Sequence, residues 1–168
     1  LKCLKKIDLI KIIDIPGVFN FSKFNNQASK FANGNVFLFL NNDVVFLKSD
    51  WGRSLASYAL KKGIGCVGGK LFYEDRTIQH GGVILGIGGV AGHSHKYFPE
   101  NANGYQSRLI LSQEVSAITG ACLAISKSNW EVLGGFDQKN LKVNYNDVDL
   151  CLRARKLRLT NIYLPSVY

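Results

Sequence analysis

A chain of 168 residues is long enough to bury a core without disulfide staples. With 46% hydrophobic residues, 20% charged residues and only 3 prolines, its composition excludes disorder, collagen and a repeat solenoid. A formal charge of +9 favours a polyanionic partner, but the basic residues are scattered without the aromatic interleaving of a strand-binding groove, so nucleic acid is not expected.

In chain order, Ile7 to Ile15 is β-branched and stops at Pro16-Gly17, which predicts a strand and a turn. Phe24, Ala28 and Phe31 recur at helical spacing, so Ser22 to Phe31 is predicted helical, ending near Asn33-Gly34. The unbroken apolar run from Val36 to Leu40 predicts a strand buried on both faces, as in a parallel sheet flanked by helices. That run is the longest strongly apolar one and is far short of the roughly 20 residues of a spanning helix. No basic segment followed by an apolar one opens the chain, so no signal peptide is expected either. Ser49 is predicted to cap a helix through Lys62 with Trp51, Leu55, Tyr58 and Ala59 on one face, and Ile64 to Val67 to form a second buried strand.

This strand–helix–strand order is a βαβ unit and predicts an α/β sheet whose ligands sit at the carboxyl ends of its strands. The Gly- and His-rich stretch from Gly81 to Gly104 predicts short strands and a long, mobile loop. Val115 to Ile125 is predicted as a strand, Ser126 to Leu133 as a capped helix stopped by Gly134-Gly135, Asp147 to Lys156 as the last helix and Thr160 to Leu164 as the last strand. Cys3, Cys66, Cys122 and Cys151 have no C-x-x-C spacing and are expected to be reduced core thiols of a cytoplasmic protein. The absence of methionine, initiator included, is expected of an interior or trimmed piece of a longer polypeptide.

Two acidic clusters carry the chemistry. Asn41-Asn42-Asp43 directly follows a buried strand, where an Asp either completes a turn or holds Mg²⁺ or Mn²⁺ together with substrate phosphates. Asp147, at a helix N-terminus, either caps the helix or acts as a base, whereas Asp149 has Arg153 four residues on and reads as a surface ion pair. The loose G-x-G-x-x-A match at Gly86 to Ala91 has no helix after it and does not read as a dinucleotide fingerprint. His80, His93 and His95 lack a supporting Cys or carboxylate spacing, so contact with substrate or solvent is expected rather than a metal site.

Asn41-Asn42-Asp43, with Gly134-Gly135-Phe136-Asp137 and the run from Asn146 to Arg153, resembles the family-two glycosyltransferases with a GT-A fold, most closely the bacterial rhamnosyl- and O-antigen-type enzymes. The resemblance runs from about Phe19 to Pro165. It implies a GT-A-like, Rossmann-type mixed α/β sheet flanked by helices and truncated at both ends, the first nucleotide-binding strand lying before Leu1 and a metal-ligand His after Tyr168. It implies inverting transfer of a sugar from a nucleotide-diphosphate donor to a glycan or lipid-linked acceptor, in cell-surface polysaccharide or glycoconjugate synthesis. Asp43 falls on the position of a metal ligand for Mn²⁺ or Mg²⁺, Asn41 stands where many members carry an acid, and Asn26 and Asn42 fall on the donor side. Asp147 falls on the catalytic-base position, and Thr119, Gly120, Ala121, His93 and Trp51 fall to the acceptor side. The expected location is the cytoplasm, with contact at the inner face of the membrane, and residues 1–168 alone are expected to transfer sugar weakly or not at all. The alternative is a non-catalytic carbohydrate- or nucleotide-binding module of the same fold.

Overall fold

The structure is a computed structural model and describes residues 10–168. Asn20 opens helix α1 (Phe21–Ser29), its side chain accepting the Lys23 N–H at 2.8 Å. Strand β1 (Val36–Leu40) leads into α2 (Trp51–Ala59) and β2 (Ile64–Gly69). Short hairpins follow: β3 (Leu71–Phe72) with β4 (Ile78–His80), and β5 (Val83–Leu85) with β6 (Ala91–His93). The chain closes with β7 (Gln113–Val115), β8 (Cys122–Ser126), α3 (Lys127–Leu133), α4 (Asn146–Lys156) and β9 (Thr160–Leu164).

The main sheet has five strands in the order β1-β8-β2-β9-β7. β8 runs antiparallel to both β1 and β2, β9 is parallel to β2, and β7 is antiparallel to β9. β1, β2 and β9 therefore point one way and β7 and β8 the other, a mixed α/β sheet. Side chains alternate across it with a period of two. Phe37, Phe39, Leu123, Ile125 and Tyr163 face one core, completed by Trp130 of α3 and Leu150 and Cys151 of α4. Val67, Cys122, Ala124 and Leu164 face the other, against Leu55 and Ala59 of α2. Helices thus cover both faces, as the sequence predicts.

Four expectations change. Residues 10–15 form no strand and Ile10 and Ile12 are exposed, while Ile7 to Leu9 lie outside the described residues. β-branched composition alone does not make a strand without an edge to pair with; this segment instead lies by α1, with the Lys11 ammonium 4.3 Å from the Phe31 ring centre. The strand expected over Val115 to Ile125 is two strands, β7 and β8, on different parts of the sheet. Between them the chain leaves the sheet: the Ala117 carbonyl accepts the Val83 N–H of β5 at 3.0 Å, and the Gly120 N–H donates to the Asp147 carboxylate at 2.7 Å. β1 pairs only with β8 among the described residues and exposes Leu40, so its apolar run marks an edge strand and not the centre of a parallel sheet. The helix after Ser49 is N-capped by Asp50, without a side-chain hydrogen bond, and ends near Ala59.

Cys66, Cys122 and Cys151 are buried and unpaired, whereas Cys3 lies outside the described residues. Gly68 lets β2 pass close under the segment before β8, since a Cβ there would stand 2.3 Å from Ile118 Cγ2 and 2.8 Å from the Cys122 carbonyl oxygen. No helix among the described residues is long and apolar enough to cross a membrane.

Candidate functional site

The strand directions decide what meets at the end of the sheet. β1, β2 and β9 finish at the same edge, where β8 begins, so residues far apart in sequence line one cleft of about 540 Å³. β1 delivers Asn41 and Asp43, β2 delivers Lys70 and the turn as far as Arg76, β9 is followed by Val167 and Tyr168, and Thr119 and Ala121 precede β8. The Asn41 N–H donates to the Ala121 carbonyl at 3.0 Å and the Lys70 N–H to the Val167 carbonyl at 2.8 Å, fixing the strand ends to one another.

The cleft is of mixed charge and aromatic, with Lys70, Arg76 and Lys96 set among Asp43 and Glu74. Lys70 is almost fully buried, and burial pulls its ammonium below the usual lysine range, opposed by Glu100 and reinforced by Lys48. Lys96 lies 4.9 Å from the Tyr97 ring centre and 5.9 Å from that of Tyr73; contacts with the two phenols raise its pKa. Among the described residues neither lysine has a carboxylate at ion-pair distance, whereas Arg76 is paired with Glu100. Phe46, Phe72, Tyr73 and Tyr168 line the same space, Phe46 stacked on Trp51, Tyr73 on Tyr97, and Phe72 and Tyr168 meeting edge to face. The sequence reading missed Lys70, Lys96 and these rings. Lys70 was accessible to the rule that singled out Asp43, since it directly follows a buried strand, but Lys96 reaches the cleft only through the folding of a distant loop.

Asp147 borders a second cavity of about 420 Å³, and His93 borders both cavities. The Asp147 carboxylate accepts the Gly120 N–H at 2.7 Å on one oxygen and the Val148 N–H at 2.8 Å on the other. Those two bonds fix its plane, and a carboxylate so held keeps lone pairs for a further donor. Asp149 pairs with Arg153 at 2.8 Å, and Arg153 also donates to the Gly135 carbonyl at 2.7 Å, so that pair ties α4 to the end of α3.

Other expected site residues lie apart from the cleft. Asn26 donates to the Phe136 carbonyl at 2.8 Å and accepts the Phe136 N–H at 2.9 Å, borders a separate cavity by α3, and thereby ties α1 to the chain after that helix. Trp51 stacks behind Phe46, with ring centres 3.7 Å apart, and Asn42 is exposed outside the cleft wall. His95 is held by Ser94 Oγ at 2.6 Å and by the Tyr105 N–H at 3.0 Å, which makes it a loop staple.

Among the described residues no group of three or more His, Cys, Asp or Glu side chains is placed to hold a metal ion. Asp43 is exposed, and no described side chain hydrogen-bonds it, so one free carboxylate beside the Asn41 amide is the donor set at the end of β1. That set fits the mode in which Mg²⁺ or Mn²⁺ uses one or two protein oxygens and takes the rest from substrate phosphates and water.

His80 is fully buried, and its Nδ1 lies 2.8 Å from Nδ1 of His93. Burial, then the neighbouring His93, pulls the His80 pKa down to about 3. Because the unfolded chain takes a proton near pH 6.5 that the native chain resists, stability is full above that pH and is lost as pH falls towards 3. The urea midpoint is therefore expected to drop between pH 7 and 5, before most carboxylates protonate; a flat midpoint would contradict a neutral buried His80.

No family model matches the chain. It is 42% identical over 147 residues to the protein named uncharacterized protein y4gI of Sinorhizobium fredii (strain NBRC 101917 / NGR234), a match covering 88% of this chain and 16% of that protein. It is 37% identical over 144 residues to the O-antigen biosynthesis protein RfbC of Myxococcus xanthus, covering 84% of this chain and 11% of that protein. The chain thus spans only a small part of the length of either relative. Among solved structures it is similar to the crystal structure of A197 from STIV, with a TM-score of 0.47 and 15% identity over 86% of this chain and 60% of that one, a likeness too remote to carry an argument.

Proposed function

We propose that this chain contributes to the catalytic domain of a glycosyltransferase with a GT-A-like fold, which moves a sugar, with inversion, from a nucleoside-diphosphate donor to an acceptor hydroxyl during cell-surface polysaccharide synthesis. The observation that carries this reading is the cleft at the carboxyl ends of β1, β2 and β9, where Asp43, two lysines with no carboxylate at ion-pair distance among the described residues and several aromatic rings meet. The O-antigen name of one relative supports the polysaccharide context. The net charge of +9 supports a polyanionic donor and contact with the anionic cytoplasmic face of a membrane.

In this reading the diphosphate lies along Lys70 and Lys96, and the base or sugar ring lies against Phe72, Tyr73 or Tyr168. Asp43 and the Asn41 amide would hold the divalent ion, which when bound neutralises charge on the departing diphosphate. The acceptor enters the cavity beside Asp147, bounded by His93 and Tyr145, while Thr119 and Ala121, expected on the acceptor side, line the larger cleft and Gly120 holds the Asp147 carboxylate. The acceptor oxygen attacks the anomeric carbon as the bond from that carbon to the phosphate oxygen breaks, and Asp147 takes the hydroxyl proton.

The test is a panel of nucleotide sugars offered to the full-length polypeptide, with release of the nucleoside diphosphate as the readout. Binding of the panel without turnover by any member would favour the non-catalytic binding module. Lys70→Met is expected to weaken binding of UDP, GDP or dTDP, whichever the wild type prefers, by roughly tenfold in calorimetry, the low end for a charge-assisted contact. Unchanged affinity would remove Lys70 from the phosphate site.

A further inference from the structure

The His80–His93 pair joins the buried core to the wall shared by the two cavities, and its hydrogen-bonding pattern has a chemical consequence. The two Nδ1 atoms are 2.8 Å apart, so one of them carries the proton and the other accepts it. His80 Nε2 is buried and has no hydrogen-bond partner, the one such side-chain atom among the described residues. If His93 held the shared proton, His80 would carry its own on Nε2, an orphaned N–H sealed in the core. If His80 holds it, Nε2 is only an unfilled lone pair, the less costly defect, since buried unpaired N–H groups are rarer than under-satisfied acceptors.

We infer that His80 is a positioning residue whose Nδ1–H donates to His93 Nδ1, fixing His93 as the Nε2–H tautomer, so that His93 presents a neutral N–H donor to a phosphate oxygen of a nucleoside diphosphate in the cleft. The assignment rests on reading the cleft as a diphosphate site. His93 borders that cleft together with Lys70 and Lys96, which makes an anionic oxygen the fitting partner for its free nitrogen. Protonating His93 would place a proton on its Nδ1, reverse the hydrogen bond and force the orphaned N–H onto His80. Burial lowers the His93 pKa, with Lys96 acting in the same direction and Asp147 opposing both. His93 is therefore a donor and not a second base, which leaves proton removal to Asp147. A neutral imidazole N–H aimed where charge develops on a leaving oxygen stabilises it without needing to be charged itself.

Two measurements test this on the full-length polypeptide. Nitrogen-15 NMR of the imidazoles at neutral pH is expected to show protonated Nδ1 on His80 and protonated Nε2 on His93; a protonated Nδ1 on His93 overturns the assignment. Calorimetry with inorganic pyrophosphate and with UDP is expected to show roughly tenfold or greater weakening in His93→Ala, as for a hydrogen bond to a charged group, and substantial rescue in His93→Gln, whose amide can place a donor near Nε2. His80→Phe, which keeps the ring but loses the donor, is expected to leave His93 as a mixture of tautomers and to weaken pyrophosphate. If the wild type binds both probes and His93→Ala binds them equally well, the phosphate contact is wrong while the cleft reading stands. If the wild type binds neither probe, the diphosphate reading falls and takes the contact with it, and the NMR result still decides the tautomer.

Discussion

Asp147→Asn in the full-length polypeptide is expected to lower sugar transfer by roughly 10²- to 10⁴-fold, the range of a general base, while nucleoside-diphosphate binding stays within about a factor of two. The separation follows from the geometry: Asp147 borders the smaller cavity beside His93 and is not among the residues lining the larger cleft. The substitution also has a structural cost. Both carboxylate oxygens accept backbone N–H groups, from Gly120 and Val148, and an Asn side chain turns one of those pairs into two facing donors. About 1–3 kcal/mol of stability is at stake there, so the comparison belongs well below the melting transition, with the fold checked by circular dichroism. Surviving turnover in a folded variant would take the base role from Asp147; loss of binding together with turnover would mean that the Gly120 turn itself had moved.

The largest expected effect on stability is at Asn161. β2 and β9 pair Ile64 with Thr160 and Val67 with Ile162, so β2 carries one extra residue over this stretch. Such a bulge leaves backbone groups without ladder partners. Asn161 supplies one partner and two ties: its Oδ1 accepts the Cys66 N–H of the bulge at 3.0 Å, and its Nδ2 donates to the carbonyls of Cys151 in α4 at 3.0 Å and of Ser116 after β7 at 3.1 Å. The side chain is almost completely buried and joins β2, α4 and the end of β7. Asn161→Ala leaves the Cys66 N–H and the Ser116 carbonyl unsatisfied at about 1.5 kcal/mol each, while the Cys151 carbonyl keeps its place in the α4 ladder. The expected loss is about 3 kcal/mol, which lowers Tm by roughly 10 °C in a chain of this size. A thermal melt within about 2 °C of wild type would show that water or a shifted backbone satisfies the bulge instead.

Much of the architecture was legible because its signals are local. Ser126 and Gly134 mark the ends of α3 through their own side-chain and backbone chemistry, whereas the Asn20 cap of α1 was not read from the sequence. Asp43 and Asp147 stood out by position, after an apolar strand and at the start of a helix, where a turn or a cap explains a carboxylate as well as a site does; the resemblance chose the site. Asn26 illustrates the opposite case, since the resemblance placed it with the donor, while the structure commits both ends of its amide to the backbone of Phe136.

The sequence by itself determined the helices, the apolar strands at Val36, Ile64 and Thr160 and the two acids that anchor the proposal, since capping, periodicity and turn chemistry act over a few residues. Only the tertiary structure decided that β8 inserts between β1 and β2, that the β-branched stretch before Pro16 has no strand over its described residues, and that Lys70, Lys96 and Thr119 share a cleft with Asp43. The same holds for His80, whose importance lies in a contact with His93 and a missing partner on its other nitrogen. Strand pairing, burial and hydrogen-bond satisfaction are relations between residues distant in the chain, and they are fixed only when the sheet closes.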